Sequence, residues 1–277
     1  MTDCGARKSG VIIWGIKVVV RYPSVAVLPS LDILLCNIDI MYLTSVLSAA
    51  ALLVAQASAH GAVTSYVIGG KTYPGYTGFS PASSPDTIQR QWPDYNPTMT
   101  VTDKKVMCNG GTSAKLTASV ASGTKITAKW AQWTHEQGPV MVWMYKCPGS
   151  IDSCNGSGKG WFKIDQEGMT APPYSGRNWG GAVVYATHEW TSTIPAKLAP
   201  GNYLIRHELI ALHQANTPQF YAECAQLAVT GSGTESPSGA FLATIPGYAP
   251  QSDPGIMVDT YMTKATTYRC PGPDVWS

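Results

Sequence analysis

The side chains of residues 201–212 form two alternating sets, and this stretch constrains the fold more than any other. In a helix, apolar residues would recur every three or four positions, so the alternation predicts a β-strand. Successive side chains of a strand point to opposite faces. One face would carry Tyr203, Ile205, His207 and Leu209, and the other Leu204, Arg206, Glu208 and Ile210.

Shorter segments of the same kind recur along the chain, separated by Gly and Pro turns, while helical spacing is nearly absent. We therefore predict an all-β protein, an immunoglobulin- or fibronectin-like β-sandwich with long loops and little helix. The other predicted strands are 63–68, 116–120, 125–133, 140–146 and 226–230. Most of 71–100, 147–190 and 232–277 is predicted to be irregular.

The apolar stretch 41–59 ends in Ala57-Ser58-Ala59, the small-residue pattern after which signal peptidase cuts. We predict a signal peptide over 41–59 and a mature chain that begins at His60. Residues 1–40 are a doubtful N-terminal extension without an apolar run long enough to span a membrane. The remaining 60–277 suits a single catalytic domain.

The charge balance narrows the choice of partner. Residues 60–277 contain 15 Lys and Arg against 14 Asp and Glu, a net charge of about +1 without a basic cluster. Such a surface is unsuited to a nucleic-acid backbone, so we expect neither a nucleic-acid nor a membrane partner. A neutral polysaccharide suits it better, bound by a monomer.

Cysteine and asparagine positions fit an oxidising, secretory compartment. Five cysteines follow residue 59. Two of them bracket a short Pro-Gly segment, and two others are remote enough in sequence to join distant parts of the domain. The suggested pairs are Cys147–Cys154 and Cys108–Cys224, which leaves Cys270 unpaired. Asn155 begins a glycosylation sequon, Asn-Gly-Ser.

An N-terminal histidine would offer two nitrogen donors, its α-amine and its imidazole. On that ground His60 is a candidate metal ligand; the alternative is that it merely follows the cleavage site. His135 precedes a predicted strand in the sequence HEQGPV and could equally be a loop histidine that satisfies a turn. In an extended segment Gln219 and Tyr221 share one face. Tyr221 and His207 each have a core interpretation as well.

Several motifs together resemble the fungal lytic polysaccharide monooxygenases of auxiliary-activity family nine, formerly classed with the glycoside hydrolases. They are His60-Gly61 after a signal peptide, HEQGPV around His135, GNYLIRHELIALH at 201–213, QFYAEC at 219–224 and YRCPGP at 268–273. The resemblance extends over essentially all of 60–277. Two positions depart from the family pattern, Ala222 for a frequent proline and Cys270 for an apolar residue.

The resemblance implies a copper site called a histidine brace. Its ligands would be the His60 amine, the His60 imidazole and the His135 imidazole, with Tyr221 in the axial position. His207 and Gln219 would hydrogen-bond the oxygen species. Amine and imidazole nitrogens suit Cu(II), which leads the divalent series in affinity. His188 and His213 are expected to be structural or exposed.

The resemblance also implies a secreted enzyme that cleaves β-1,4-glucan, such as cellulose, by oxidation at C1 or C4. It would use O2 or H2O2 and an external electron donor such as cellobiose dehydrogenase or phenols. A crystalline polysaccharide requires a flat contact face, on which aromatic rings can stack against sugar rings. Tyr76 and Tyr261 are the candidates, followed by Tyr66 and Trp92.

Two other functions fit the sequence less well. A hydrolytic endoglucanase would need two carboxylates flanking the scissile bond, about 5–5.5 or 6.5–9.5 Å apart. Glu136, Asp165, Glu189 and Glu208 are available, but they form no paired pattern in the sequence. A non-catalytic cellulose-binding protein would bind without copper and would tolerate the loss of His60.

Overall fold

Ten strands form two β-sheets in residues 60–76 and 86–277, the part of the chain that the computed structural model describes. The order is β2-β1-β4-β7 in the four-stranded sheet and β10-β6-β5-β8-β9-β3 in the six-stranded sheet. The strands are β1 Val63–Ile68, β2 Lys71–Pro74, β3 Ala118–Ala121, β4 Lys125–Trp130, β5 Val140–Lys146, β6 Lys159–Glu167, β7 Glu189–Thr193, β8 Gly201–Ala211, β9 Gln219–Thr230 and β10 Ala243–Thr244.

Helix is confined to short segments in this part of the chain: α1 Lys105–Cys108, α2 Gly180–Thr187 and a 3-10 turn, Gly239–Phe241. Across 60–76 and 86–277, no helix has the length and apolarity that crossing a membrane requires. The all-β sandwich prediction is confirmed. The predicted extension 1–40 and signal peptide 41–59 lie outside the described residues.

Two sequence expectations about strands are wrong. Residues 147–190 contain β6, α2 and the start of β7, and β9 begins at residue 219 rather than 226. Both strands were missed because they contain buried charged residues. Lys163 in β6 and Glu223 in β9 are almost completely buried. Their charges interrupt the apolar alternation by which strands are recognised.

The centre of the six-stranded sheet is the antiparallel hairpin of β8 and β9. Leu209 pairs with Tyr221, and Ala211 pairs with Gln219 at the open end. Both faces of β8 are buried, as the alternation over 201–212 requires in a central strand. Ile205 and Leu209 pack into the core between the sheets, and Leu204 and Ile210 pack under the long loops on the other side.

The loop layer over β8 is held by a buried ion pair and a disulfide. The Arg206 guanidinium donates to both carboxylate oxygens of Glu208 at 2.7 Å, and both side chains are fully buried. The Cys108–Cys224 disulfide joins α1 to β9, and Cys147–Cys154 closes a local loop. These are the expected pairs. Cys270 is a buried free thiol, and Asn155 is exposed.

Candidate metal centre

The candidate site lies at the end of the sandwich where β1 begins. Val63 opens β1 and pairs with Trp130 at the end of β4. At the same end Val140 opens β5, opposite Leu209 near the end of β8. Residues 60–62 and the loop 131–139 therefore leave the sheets together, so His60 and His135 are brought to one edge of the molecule.

A close backbone approach holds the loop that carries His135. Gly138 has φ of +127°, and a Cβ there would lie 1.8 Å from the carbonyl oxygen of Ile210. Only glycine fits so near a neighbouring strand. The amide of Leu212 donates to the carbonyl of Gln137 at 3.0 Å. The Gly-Pro turn of HEQGPV therefore anchors this loop to the end of β8.

The rings of His60, His135 and Tyr221 converge. The ring centroids of His60 and Tyr221 are 6.0 Å apart, and those of His135 and Tyr221 are 6.1 Å apart. The Tyr221 hydroxyl lies 3.4 Å from His135 Nε2 and donates to Gln219 Oε1 at 2.8 Å. Trp133 packs edge-on against His135 and Tyr221, with centroid distances of 5.1 and 4.9 Å.

The electrostatics favour neutral ligands. Burial, with smaller contributions from His213 and His60, lowers the pKa of His135 to about 4. His135 is therefore an unprotonated imidazole near neutral pH, the form that binds metals. Burial and the nearby Glu223 raise the pKa of the Tyr221 hydroxyl, which stays protonated.

His213 belongs to this cluster, although the sequence suggested a structural or surface role for it. Its ring stacks on His135 with a centroid distance of 4.0 Å and an interplanar angle of 6°. Burial and His60 lower its pKa. His213 lies two residues beyond the last residue of β8, and Ala211 pairs with Gln219, so His213 emerges at the end of the hairpin where Gln219 lies.

The assignment of His207 to the oxygen-binding site is wrong. Its side chain is fully buried, and its ring packs 5.7 Å from Tyr66 and 6.3 Å from Trp130. His207 pairs with Glu223, whereas Tyr221 pairs with Leu209. His207 thus lies on the predicted face but two residues deeper, about 6–7 Å along the strand, inside the core.

Nitrogen and phenol donors make this cluster suited to copper. In residues 60–76 and 86–277, no three His, Cys, Asp or Glu side chains group as a metal site. The α-amine that cleavage before His60 would free is a further nitrogen donor beside the two imidazoles. Cu(II) binds amine and imidazole nitrogens well, whereas Mg²⁺ and Ca²⁺ prefer oxygen ligands.

The model of Auxiliary Activity family 9, formerly GH61, matches residues 60–268. The chain belongs to this family. AA9 members are secreted fungal, copper-dependent lytic polysaccharide monooxygenases, so this protein is a polysaccharide monooxygenase of the copper-dependent class. The family resemblance inferred from the motifs is confirmed.

Curated relatives and a crystal structure agree. AA9 family lytic polysaccharide monooxygenase D of Thermothelomyces thermophilus is 56% identical over 248 residues, which cover 85% of this chain and 95% of the relative. Enzyme B of Heterobasidion irregulare is 42% identical, with coverages of 85% and 99%. The crystal structure of a cellulose-active polysaccharide monooxygenase from M. thermophila superposes with a TM-score of 0.72 at 54% identity, covering 78% of this chain and 99% of that one.

The aromatic candidates of this AA9 chain divide into exposed and buried rings. Tyr261 has 57% of its surface exposed, and its hydroxyl donates to the carbonyl of His213 at 3.1 Å. Tyr76 is partly buried and packs beside the cluster of Ala62, Trp92 and Tyr95. Tyr66 and Trp92 are fully buried, so the alternative assignment of those two rings to sugar contact is wrong.

The carboxylates considered for hydrolysis each have a separate partner. Glu136 pairs with Arg177 at 2.9 Å and Glu189 with Lys129 at 2.7 Å. Glu208 is buried with Arg206, and Asp165 accepts hydrogen bonds from Trp190 and Ser192. Their structural roles agree with the membership of an oxidoreductase family.

Proposed function

We propose that processing after Ala59 makes His60 the first residue of a secreted monomer, comprising 60–277, and creates a copper site. The His60 amine, the His60 imidazole and the His135 imidazole would hold the ion, with Tyr221 as a further ligand. Residues 41–59 would be the signal peptide, and Asn155 a glycosylation site. The convergence of His60, His135 and Tyr221 at one end of the sandwich is the observation that carries this proposal.

Each residue of the site has a defined task. Bound copper would supply the one-electron chemistry that activates the oxygen species. His135 offers a neutral imidazole because burial lowers its pKa to about 4. Tyr221 stays protonated and is oriented by its hydrogen bond to Gln219. Gln219 and His213, which stacks on His135, would donate hydrogen bonds to the oxygen species. For His213 this is the role that the family resemblance implied for His207.

The proposed substrate is a β-1,4-glucan such as cellulose. A relative 54% identical to this chain is described as cellulose-active. Tyr261 is exposed beside His213, and Tyr76 lies beside the small cluster that follows His60. We propose that the Tyr76 and Tyr261 rings stack on a flat glucan surface, since an aromatic ring presents a large apolar face.

The proposed reaction hydroxylates C1, C4 or both beside the glycosidic bond. With H2O2, one C–H bond and the peroxide give a C–OH group and water. With O2, two electrons and two protons are consumed as well, and water is the second product. Cellobiose dehydrogenase or a phenol would supply the electrons, and the hydroxylated carbon would then release the neighbouring sugar.

Mass spectrometry of the products from cellulose tests this function. The matured protein is incubated with ascorbate, with and without copper. Aldonic acids or C4-oxidised sugars should form only when both copper and ascorbate are present, and His135→Ala should form none. Unoxidised oligosaccharides that appear without a reductant would show a hydrolase instead.

A further inference from the structure

We propose that Gln132 is a positioning residue that holds His60 in register with His135. The inference rests on the proposed copper site and concerns a side chain three positions before His135. Gln132 Nε2 donates to the carbonyl oxygen of His60 at 2.5 Å, in a partly buried setting. The same residue also limits what can follow His60 in the chain.

Gly61 lies directly against the main chain of Gln132. A Cβ at position 61 would lie 1.7 Å from the Gln132 carbonyl oxygen, a separation that no side chain tolerates. One residue further on, the amide of Ala131 donates to the carbonyl of Ala62 at 3.3 Å. Residues 131 and 132 therefore contact each of the residues 60–62.

A chain that begins at His60 needs such an anchor. After cleavage the residue has no preceding peptide bond, so it is restrained only from its carboxyl side. Rotation about the Gly61 N–Cα bond would swing the peptide plane between residues 60 and 61, and with it the whole of His60, relative to the rest of the site. A hydrogen bond to the His60 carbonyl opposes that rotation and restrains the position of the His60 Cα, from which the amine and the imidazole extend.

The anchor and the other histidine belong to one short segment. His135 follows Gln132 by three residues, and Trp133 between them packs edge-on against both His135 and Tyr221. A shift of this segment would move His135 and the restraint on His60 together. Residues 131–135 therefore set the spacing between the two imidazoles, and Gln132 transmits that spacing to His60.

Gln132→Met tests the role, since it keeps the length of the side chain but removes the N–H donor. Both the variant and the wild type are matured at His60. We expect Cu(II) affinity to fall 10–100-fold, the range typical of residues that orient metal ligands. The electron paramagnetic resonance spectrum of bound Cu(II) should change, because the arrangement of the nitrogens changes.

Gln137→Met is the matched control. It makes the same substitution in the same loop, and Gln137 Nε2 donates at 3.3 Å to the carbonyl of Ser175 rather than to His60. Its Cu(II) affinity and spectrum should match the wild type within about twofold. Gln132→Glu, which also lacks the donor, provides a second soluble variant with the same expected loss.

The outcomes separate this inference from the proposed function. If both Gln132 variants keep the wild-type affinity and spectrum, or if only the melting temperature of the apoprotein falls, Gln132 does not position His60. If the wild type itself binds copper no better than a His60→Ala variant, the proposed site is wrong and the inference is overturned with it.

Discussion

His207 and His213 lie six residues apart along the same run of chain and occupy opposite environments. His207 is enclosed by aromatic rings between the sheets, and neither of its ring nitrogens has a hydrogen-bond partner among the described residues. His213 follows the end of β8 and stacks on His135. The same residue type therefore lies in the core in the middle of the strand and beside the candidate metal centre at its end.

From this difference we expect the middle of β8 to contribute to the stability of the fold and the end of β8 to contribute to the candidate copper site. The middle of the strand carries Arg206, His207 and Glu208, all fully buried. The end of the strand leads to His213, which stacks on the candidate copper ligand His135. Substitutions in the middle should change the free energy of unfolding and leave copper affinity unchanged, and substitutions at the end should do the reverse.

The largest effect is expected from Glu208→Ala in the middle of the strand. It leaves the buried Arg206 guanidinium without its carboxylate, and it also removes the acceptor of Trp143 Nε1 and the Tyr248 hydroxyl. Breaking a buried pair in this way costs about 3–5 kcal/mol of unfolding free energy. Denaturant unfolding measures the loss, and copper affinity of the folded protein should be unchanged. A variant of wild-type stability would contradict the assignment of this region.

His213→Ala, at the end of β8, should have the next largest effect. The stacked neighbour of His135 is lost, so oxidised-product yield or copper affinity should fall about 10–100-fold. Unfolding free energy should change by less than about 1 kcal/mol, because the site lies beyond the strand. Product mass spectrometry and copper titration provide the measurements. Equal activity of variant and wild type would return His213 to a structural role.

At neutral pH His207→Phe should have the smallest effect of the three, and its effect on stability should appear only in acid. Burial lowers the pKa of His207 to about 3, against about 6.5 in the unfolded chain. Above pH 6.5 both states are neutral. As pH falls from 6.5 towards 3, only the unfolded state takes up the proton, so the wild type loses up to about 1.4 kcal/mol of stability per pH unit.

The phenylalanine variant lacks this proton uptake. The unfolding free energy of the variant, relative to that of the wild type, should therefore increase as pH falls from 7 to 4. The copper affinities of the two proteins at pH 7 should be equal. Denaturant unfolding across that range measures the difference. A difference that stays constant with pH would mean that His207 is not a buried neutral group.

The sequence was sufficient to predict the sandwich, the two disulfides and the residues His60, His135, Gln219 and Tyr221 that meet at one end. Alternation specifies the face of a strand, so His207 was placed on the correct face. It does not specify depth, which depends on the register of β8 against β9. β6 and the first half of β9 were missed because tertiary contacts compensate for Lys163 and Glu223, whose burial no local pattern reveals.

The same limit applies to Gln132. Nothing in its type or spacing distinguishes it from Gln137, five residues on. Only the folded chain brings its amide to the carbonyl of His60 and its main chain against Gly61. The candidate copper ligands could be recognised from motifs. Gln132, which is proposed to position another residue, could be identified only from the folded structure.

The central claim is that the amine of His60 is a copper ligand. Copper titration of two purified proteins tests it most directly, one that starts at His60 and one that retains Ala59 before it. The extra residue converts the amine to an amide, which lacks a basic lone pair, while every side chain stays the same. We predict at least a 100-fold weaker Cu(II) affinity and no oxidised product for the extended protein. Equal affinity and activity of the two proteins would contradict the claim.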